Sequence, residues 1–509
     1  MLELSKTPSK SSATMEAVEA TGQPNDDRAL AQLGYAAELP RNMSMLSILG
    51  LSFAIMSVPL GISTTWYISL TDGQSVTALY GWILVSLVSL CTAASMAEIC
   101  AVYPTAGGVY YWSAILSTRS WAPLVSWIDG WLGLVGNWTA ALSINFSGAQ
   151  VILSAITLWN EDYVPNPWQT VLTFWALTFV CVLLNLAGTK VLDKLNQICV
   201  YWTVASVIII MITLLTMADE KRTAEFVFAH YDASAAGWPN GWAFFVGLLQ
   251  GAYTLIGYGM VASMCEEVPN PERTVPRGLV LSVLAAGITG LVYMIPILFV
   301  LPDVKTLLSV ANGQPIGLIF KTVTGSASGG FGLLFLLLGI LLFAGTGAIT
   351  AASRFTFAFA RDKAIPGHHI WSRVNKRLDV PLWALILTAI VNALLSCIYF
   401  GSSAAFNSFT VSVIRGRRDM GNSPFSLGKF GLLINLICIT WIGFSIIIFC
   451  MPVALPVTAS TMNYASVVFA GFASISVAWY VAYGRKHFHG PPVLTAGISL
   501  SRVLSEEVA

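Results

Sequence analysis

Charge is what this sequence has least of. Only 10% of its 509 residues are Asp, Glu, Lys or Arg, against about 25% in an ordinary soluble domain. With 56% hydrophobic residues and a mean hydropathy of +0.73, that scarcity excludes a soluble enzyme, a secreted disulfide scaffold and a disordered chain. Neither sign dominates, since 26 basic residues face 25 acidic ones. A nucleic-acid partner would need a basic surface, so none is expected. Histidine is scarce, at five residues, and no CxxC or Cys/His spacing suits a metal. No metal or other cofactor is expected. The eight cysteines mostly sit inside apolar runs and read as small core- or lipid-facing residues. No GxxxxGK[ST] motif occurs, so no ATP drive is encoded. A membrane enzyme would need His, Asp or Cys grouped at membrane depth. None is seen, and enzymatic activity is not expected.

What the chain has instead is long apolar runs. They fall at 44–70, 76–99, 122–157, 168–187, 196–217, 241–265, 277–301, 330–360, 381–400, 430–452 and 460–483. Each is close to the ~20 residues that a membrane-crossing helix needs. A twelfth stretch, 402–414, is short: its 13 residues would rise only about 20 Å as a helix. It ends in Arg415-Gly416-Arg417-Arg418, a cluster that favours the cytosolic side. Counting it as a truncated tenth crossing puts 22 of the 26 basic residues inside. Lys221, Arg222, Lys305 and Lys321 remain outside. The expected fold is an all-α integral membrane protein of about twelve helices, with both termini in the cytosol. Residues 1–43 read as a disordered cytosolic tail, with no cleaved signal peptide. Residues 44–484 form the membrane domain and 485–509 a cytosolic C-terminal tail. Trp66, Trp82, Trp121, Trp168 and Trp242 fall near span ends, as an interfacial belt would require.

The first and sixth spans carry helix breakers at their centres. The first contains Pro59, Gly61, Ser63, Thr64 and Thr65; the sixth contains Gly247, Gly251, Gly257 and Gly259. Irregular backbone at membrane depth is tolerated only where it is buried or lines a cavity. Spans one and six are equivalent in a five-plus-five inverted repeat, and paired interruptions of this kind point to a transporter's binding site. Small residues also serve close packing. Two interruptions at matching positions favour the site.

The motifs then resemble the amino acid–polyamine–organocation superfamily, closest to its fungal permeases for amino acids, 4-aminobutyrate and choline. The resemblance rests on Pro59-Leu60-Gly61-Ile62-Ser63 with Tyr80-Gly81-Trp82, and on Ala97-Glu98-Ile99 with Tyr103-Pro104-Thr105-Ala106-Gly107-Gly108-Val109-Tyr110. It rests also on Glu266-Glu267-Val268-Pro269-Asn270-Pro271 and on Ser353-Arg354 with Phe359-Ala360-Arg361-Asp362. It implies that Pro59, Leu60, Gly61, Ile62 and Ser63 form the unwound part of span one, whose amides bind a substrate carboxylate. It implies that Tyr253–Gly257 is the unwound part of span six, with Tyr253 capping the substrate, Thr254 and Gly257 in the break and carbonyls near Ile256 facing an amine. Some bacterial members couple to protons through a lysine in span five. Thr203 takes that place here, so this candidate ion-coupling position cannot carry a lysine's charge. Relatives also have a full tenth span, the repeat partner of the fifth.

Charges near the membrane suggest a gate. Glu98 ends span two and reads either as a gating partner or as a solvated helix end. Glu266 and Glu267 end span six, with Arg273, Arg277 or Arg354 as partners. If Glu267 pairs with Arg273, swapping the two charges should rescue function lost in either single mutant. The resulting reading is a secondary transporter for a small amino acid or related amine, such as 4-aminobutyrate, a polyamine or choline. It would work by alternating access in the lipid bilayer, with a proton or cation as possible co-substrate. The alternatives are a non-transporting nutrient sensor and an inactive shortened isoform. The expected location is the plasma membrane, with a vacuolar membrane as second choice. Oligomeric state is not readable.

Overall fold

A backbone within a bilayer must satisfy its own hydrogen bonds, which leaves helices or closed barrels. The computed structural model describes residues 25–310, 314–375, 377–396, 424–457 and 465–492. These residues are helical: apart from one isolated bridge between Asn375 and Val380, no strand occurs among them. The helices are α1 (Asn25–Gln32), α2 (Met45–Met56), α3 (Val58–Thr71), α4 (Gln74–Val102), α5 (Val109–Leu116) and α6 (Ala122–Ser154). Then follow α7 (Pro167–Leu186), α8 (Thr189–Met217), α9 (Asn240–Gly247), α10 (Leu249–Thr254), α11 (Pro271–Phe299) and α12 (Ala327–Arg361). The last are α13 (Leu382–Ser396), α14 (Gly431–Phe449) and α15 (Ala465–Trp479).

Among the described residues, nine helical stretches are long and apolar enough to cross a membrane. Two of them are interrupted near their middles. α2 and α3 form the stretch Met45–Thr71, while α9, α10 and a following 3-10 helix form Asn240–Glu267. Helix α13 is shorter, and α15 runs on through a π turn to Gly484. Each of the eleven apolar runs in the sequence therefore holds a helix. The weak stretch 402–414 lies outside the described residues.

Burial separates the helices by role. The outer faces of α7, α8, α14 and α15 expose Phe179, Tyr201, Leu432 and Val481, an apolar surface suited to lipid rather than water. Inside, α4 lies along α11 and α6 along α12. Trp82 shows how tightly. Its indole N–H donates to the Gly287 carbonyl at 2.9 Å, and a Cβ on Gly290 would fall 2.1 Å from its ring. Trp66 and Trp82 are thus core residues, not part of an interfacial belt, while Trp121 and Trp168 are exposed.

Residues 25–43 depart from the expected tail. They form α1 and an extended strap that buries Leu30, Tyr35, Leu39 and Met43. These side chains form no long apolar run, so the polar residues around them mask them. Polar anchors complete the strap. Arg41 pairs with Asp27 at 3.2 Å and donates to the carbonyls of Val268 and Asp26. The Asp26 carboxylate accepts the Asn270 amide at 2.9 Å. Residues 1–24 lie outside the described residues. At the other end, Phe488 is buried against Trp127, with ring centroids 5.1 Å apart, so the first residues of the expected C-terminal tail also pack on the helical body.

Candidate functional site

Pro59 explains the first interruption. It has no N–H to offer the Ile55 carbonyl, and its ring crowds that carbonyl. The chain breaks at Ser57, which adopts the left-handed conformation at φ 39° and ψ 49°. Helix α3 restarts at Val58 with the proline in its first turn, where a missing N–H costs nothing. This corrects the expected position. Residues 59–63 are helical, and the break lies just before them. The amides of Val58 and Leu60 belong to the first turn, where a helix supplies no acceptor. The Gly61 amide already donates to the Ser57 carbonyl at 2.8 Å.

The second interruption is also narrower than expected. Tyr253 and Thr254 still belong to α10. The chain leaves the α conformation at Leu255 and turns at Gly257, with φ 88°. A ten-residue 3-10 helix, Tyr258–Glu267, follows. Such helices seldom exceed 3–4 residues.

The two breaks touch. A Cβ on Gly257 would lie 2.6 Å from Ile55 Cγ2, and one on Gly61 would lie 2.6 Å from Thr254 Cγ2. Between them opens a cavity of ≈ 40 Å³, room for about three waters at ~10–15 Å³ each. Helix α2 and the first break contribute Ile55, Met56 and Ser57; α3 contributes Leu60, Gly61 and Thr64. Helix α10 contributes Tyr253 and Thr254, and the second break Ile256 and Gly257. The third wall is α6, through Ala140, Ser143, Ile144 and Ser147. The Tyr253 hydroxyl is held by Ser143 at 2.5 Å and Ser147 at 3.2 Å. Sequence reasoning gives these serines no role; their four-residue spacing, one turn of α6, is the available signal. Among the described residues, no Asp, Glu, Lys, Arg or His lines the cavity.

Of the residues that the sequence nominates for the site, Leu60, Gly61, Tyr253, Thr254, Ile256 and Gly257 line this cavity, and Pro59, Ile62 and Ser63 do not. The Ser63 hydroxyl bonds the Pro59 carbonyl at 2.6 Å and the Tyr293 hydroxyl at 2.7 Å, which joins α3 to α11. Thr203 is buried on α8 beside Cys199, away from the cavity lining.

The charged residues gather at the end of the bundle covered by the strap. Arg354 of α12 meets Glu267 at 2.8 Å, and both side chains are fully buried. Arg361 grips Glu266 with two nitrogens at 2.7 and 2.8 Å and stacks on Tyr35, 4.0 Å from the ring centroid. The Ala106 amide also donates to Glu266. Arg273 and Arg277 are exposed on α11. Of the three arginines that the sequence offers to these acids, Glu267 takes Arg354, 87 residues away, and not Arg273. Glu98 is buried and accepts the Leu427 amide at 2.8 Å, so it is not a solvated helix end. Next to Arg361, Asp362 accepts the hydroxyls of Tyr35 and Tyr110 at 2.7 and 2.8 Å. Burial pushes its carboxyl up to about 6, against the opposing pull of Arg361 and the two hydroxyls.

Two helix breaks around a cavity without ionised side chains among its described lining residues, in a bundle with buried ion pairs at the strap end, suit a transporter. Comparison with known proteins agrees. Residues 43–473 match the amino acid permease family. The chain belongs to this family. Its relatives include the amino-acid permease BAT1 of Arabidopsis thaliana, 34% identical, with 91% of this chain and 95% of that protein covered. The polyamine transporter TPO5 of Saccharomyces cerevisiae is 32% identical, over 88% of this chain and 76% of that protein. A choline transporter of the same yeast is 30% identical, over 89% and 83%. The permease family and these relatives are transporters, not enzymes.

Proposed function

We propose that this chain is a secondary transporter that carries a small neutral amino acid by alternating access. The observation that carries this reading is the lining of the cavity between the two breaks. It includes Leu60, whose amide belongs to the α3 first turn, with a tyrosine hydroxyl and serine and threonine hydroxyls, and, among the described residues, no ionised side chain. A helix N-terminus favours a carboxylate, and the carbonyls freed at Leu255 and Ile256 favour an ammonium group; the Gly257 carbonyl already accepts the Met260 amide. One zwitterion satisfies both. A polyamine brings several ammonium groups, which need carboxylates when desolvated. Choline calls for a cage of aromatic rings, and among the described residues Tyr253 is the one aromatic lining the cavity.

In this reading the bundle has twelve spans in a five-plus-five inverted repeat. Spans one and six are the interrupted pair. The strap side faces the cytosol with both termini, and the protein resides in the plasma membrane. The cavity is too small for a whole amino acid, so binding requires the helices around it to separate slightly. Glu98, Glu267 and Arg354 would hold the cytosolic end closed.

The test is uptake of labelled neutral amino acids, 4-aminobutyrate, putrescine and choline into transport-deficient yeast expressing the full chain. Neutral amino acids are expected to enter. Entry of putrescine or choline alone would overturn the zwitterion assignment. No uptake of any compound, with surface expression confirmed, would favour the sensor or inactive-isoform reading.

A further inference from the structure

Asp72 is the buried carboxylate that the transport reading leaves without a role. It ends α3, where its amide donates to the Ile68 carbonyl at 3.0 Å. Its side chain is fully buried, and neither oxygen has a hydrogen-bond partner among the described residues. The nearby Thr77 hydroxyl is committed to the Asp72 main-chain carbonyl at 2.8 Å. The backbone of α9 seals the site from the other side. A Cβ on Gly247 would lie 3.1 Å from Asp72 Cβ and 2.2 Å from Thr77 Cγ2. A buried, ionised and unpaired carboxylate costs several kcal/mol, so such a group holds its proton instead.

Its position ties it to the cavity. Asp72 stands eleven residues beyond Gly61 along α3, about 16 Å at 1.5 Å per residue. Between the two runs a continuous seam of α3 against α9 and α10. Gly61 meets Thr254, the Ile62 carbonyl accepts from Gln250 at 3.4 Å, Ser69 bonds Gln250, and Asp72 meets Gly247. A path from the cavity to the side opposite the strap that runs between α3 and α9–α10 opens this seam, and opening it wets Asp72.

We infer that Asp72 is a proton-binding site that controls this seam, neutral while α3 and α9 are packed and ionised when they part. The inference rests on the transport reading for what the seam admits, but not for whether it opens. Closure takes one proton from the solution on the Asp72 side onto a carboxyl oxygen. Reopening returns it to the same solution, so no proton crosses the membrane through this residue.

The surrounding groups do not supply another cause. The titratable residue facing Asp72 is Tyr231, whose phenol is raised by burial and then by the Asp72 charge. Asp232 is occupied by Gln74 and the Ser234 amide, and His230 stacks on Phe226. The parts of α3, α4 and α9 that meet the site offer Ser69, Gln74, Ser75, Thr77 and Gly247, none of which titrates. Burial moves the Asp72 carboxyl from 3.8 to about 8. The closed seam thus binds the proton more tightly than the open one. The closed form is favoured in acid. It loses about tenfold of its advantage per pH unit between about 4 and about 8, and the ratio is level above that.

Ser69→Cys in the full-length protein in membranes tests this. Its reaction rate with a membrane-impermeant thiol reagent, added from either side, reports opening of the seam. The rate is corrected for thiolate content with the exposed Cys450 as internal standard. From the Asp72 side the corrected rate is expected to rise about tenfold per unit between pH 5 and pH 7. Adding Asp72→Asn, a permanently neutral carboxamide, should flatten that profile. Asp72→Ser serves if the amide does not fold. A flat profile in the otherwise native chain overturns the proposal, as does a slope that survives removal of the carboxyl. The assay needs no substrate. Failed amino acid uptake with an intact pH slope would sink the transport reading and leave this one standing.

Discussion

Gly257 and Ile55 hold the two helix interruptions against each other. The glycine sits at φ 88°, and a methyl on it would be 2.6 Å from Ile55 Cγ2. The reciprocal contact, Gly61 with Thr254, has the same 2.6 Å clearance. Each break therefore presses on the helix that leads into or out of the other, and neither can shift alone.

Gly61→Ala is expected to destabilise the protein by about 1–3 kcal/mol through overpacking, because the atoms it strikes belong to a stiff β-branched residue. Thr254→Ala in the same chain should return most of that loss. Gly257→Ala should be harsher, since about 1–2 kcal/mol of left-handed strain adds to the clash. Thermal unfolding of the three purified variants and their parent in detergent decides. A Gly61→Ala protein as stable as its parent would show that the close approach is not tight.

The buried pair Glu267–Arg354 gives the sharpest charge test. Replacing either residue with Leu leaves a buried charge alone and should cost about 3–5 kcal/mol, while the double Leu variant should recover most of it. Arg273→Ala, on the exposed face of α11, should change stability by less than about 0.5 kcal/mol. Folded yield and melting temperature measure both. Equal damage from Arg273→Ala would restore Arg273 as the partner of Glu267.

Tyr253 and Ser63 separate binding from packing. Tyr253→Phe and Ser143→Ala each remove one end of the 2.5 Å contact at the cavity wall, a loss of about 1 kcal/mol. Each should raise the KM for uptake about fivefold. Ser63→Ala, which loses Tyr293 rather than a cavity contact, should lower melting temperature and leave KM unchanged. A KM effect confined to Ser63→Ala would reverse these assignments.

The strap should respond to pH. Docked, Asp362 titrates at about 6; released, it returns toward 3.8. A raised value in the docked form means that docking is favoured in acid, weakens as pH rises from about 4 to about 6, and is level above. Tyr35→Phe removes one of two hydroxyls on that carboxylate, about 1 kcal/mol, and should speed amide exchange across residues 25–43 about fivefold. Hydrogen exchange of the full-length protein at pH 5 and pH 7, corrected for intrinsic rates, measures both effects. Equal protection in the variant and its parent would detach Tyr35 from docking.

The helices are legible in the sequence because lipid leaves a chain few choices. A run of about 20 apolar residues in a bilayer has no other way to satisfy its backbone, and 76–99 or 277–301 needs no neighbour to declare itself. Pro59 announces a break, but its place depends on which carbonyl loses its donor. That carbonyl belongs to Ile55, so the chain turns before the proline rather than at it. Partners distant in sequence are not legible. Arg354 is one of three arginines that the sequence offers to Glu267, with nothing to choose among them, and nothing near Tyr253 marks Ser143. Leu30, Tyr35, Leu39 and Met43 form no long apolar run, and their burial depends on a surface built by later residues.

The 3-10 segment Tyr258–Glu267 is also a store of length. A 3-10 helix rises about 2.0 Å per residue and an α-helix about 1.5 Å. Rewinding these ten residues as α would draw Glu266 and Glu267 toward the Gly257 turn by about 5 Å. The number of residues per turn would grow from 3.0 to about 3.6, so the carboxylates would also swing round the axis. One local change of winding would then pull both acids off Arg354 and Arg361 together, without moving α12 at all.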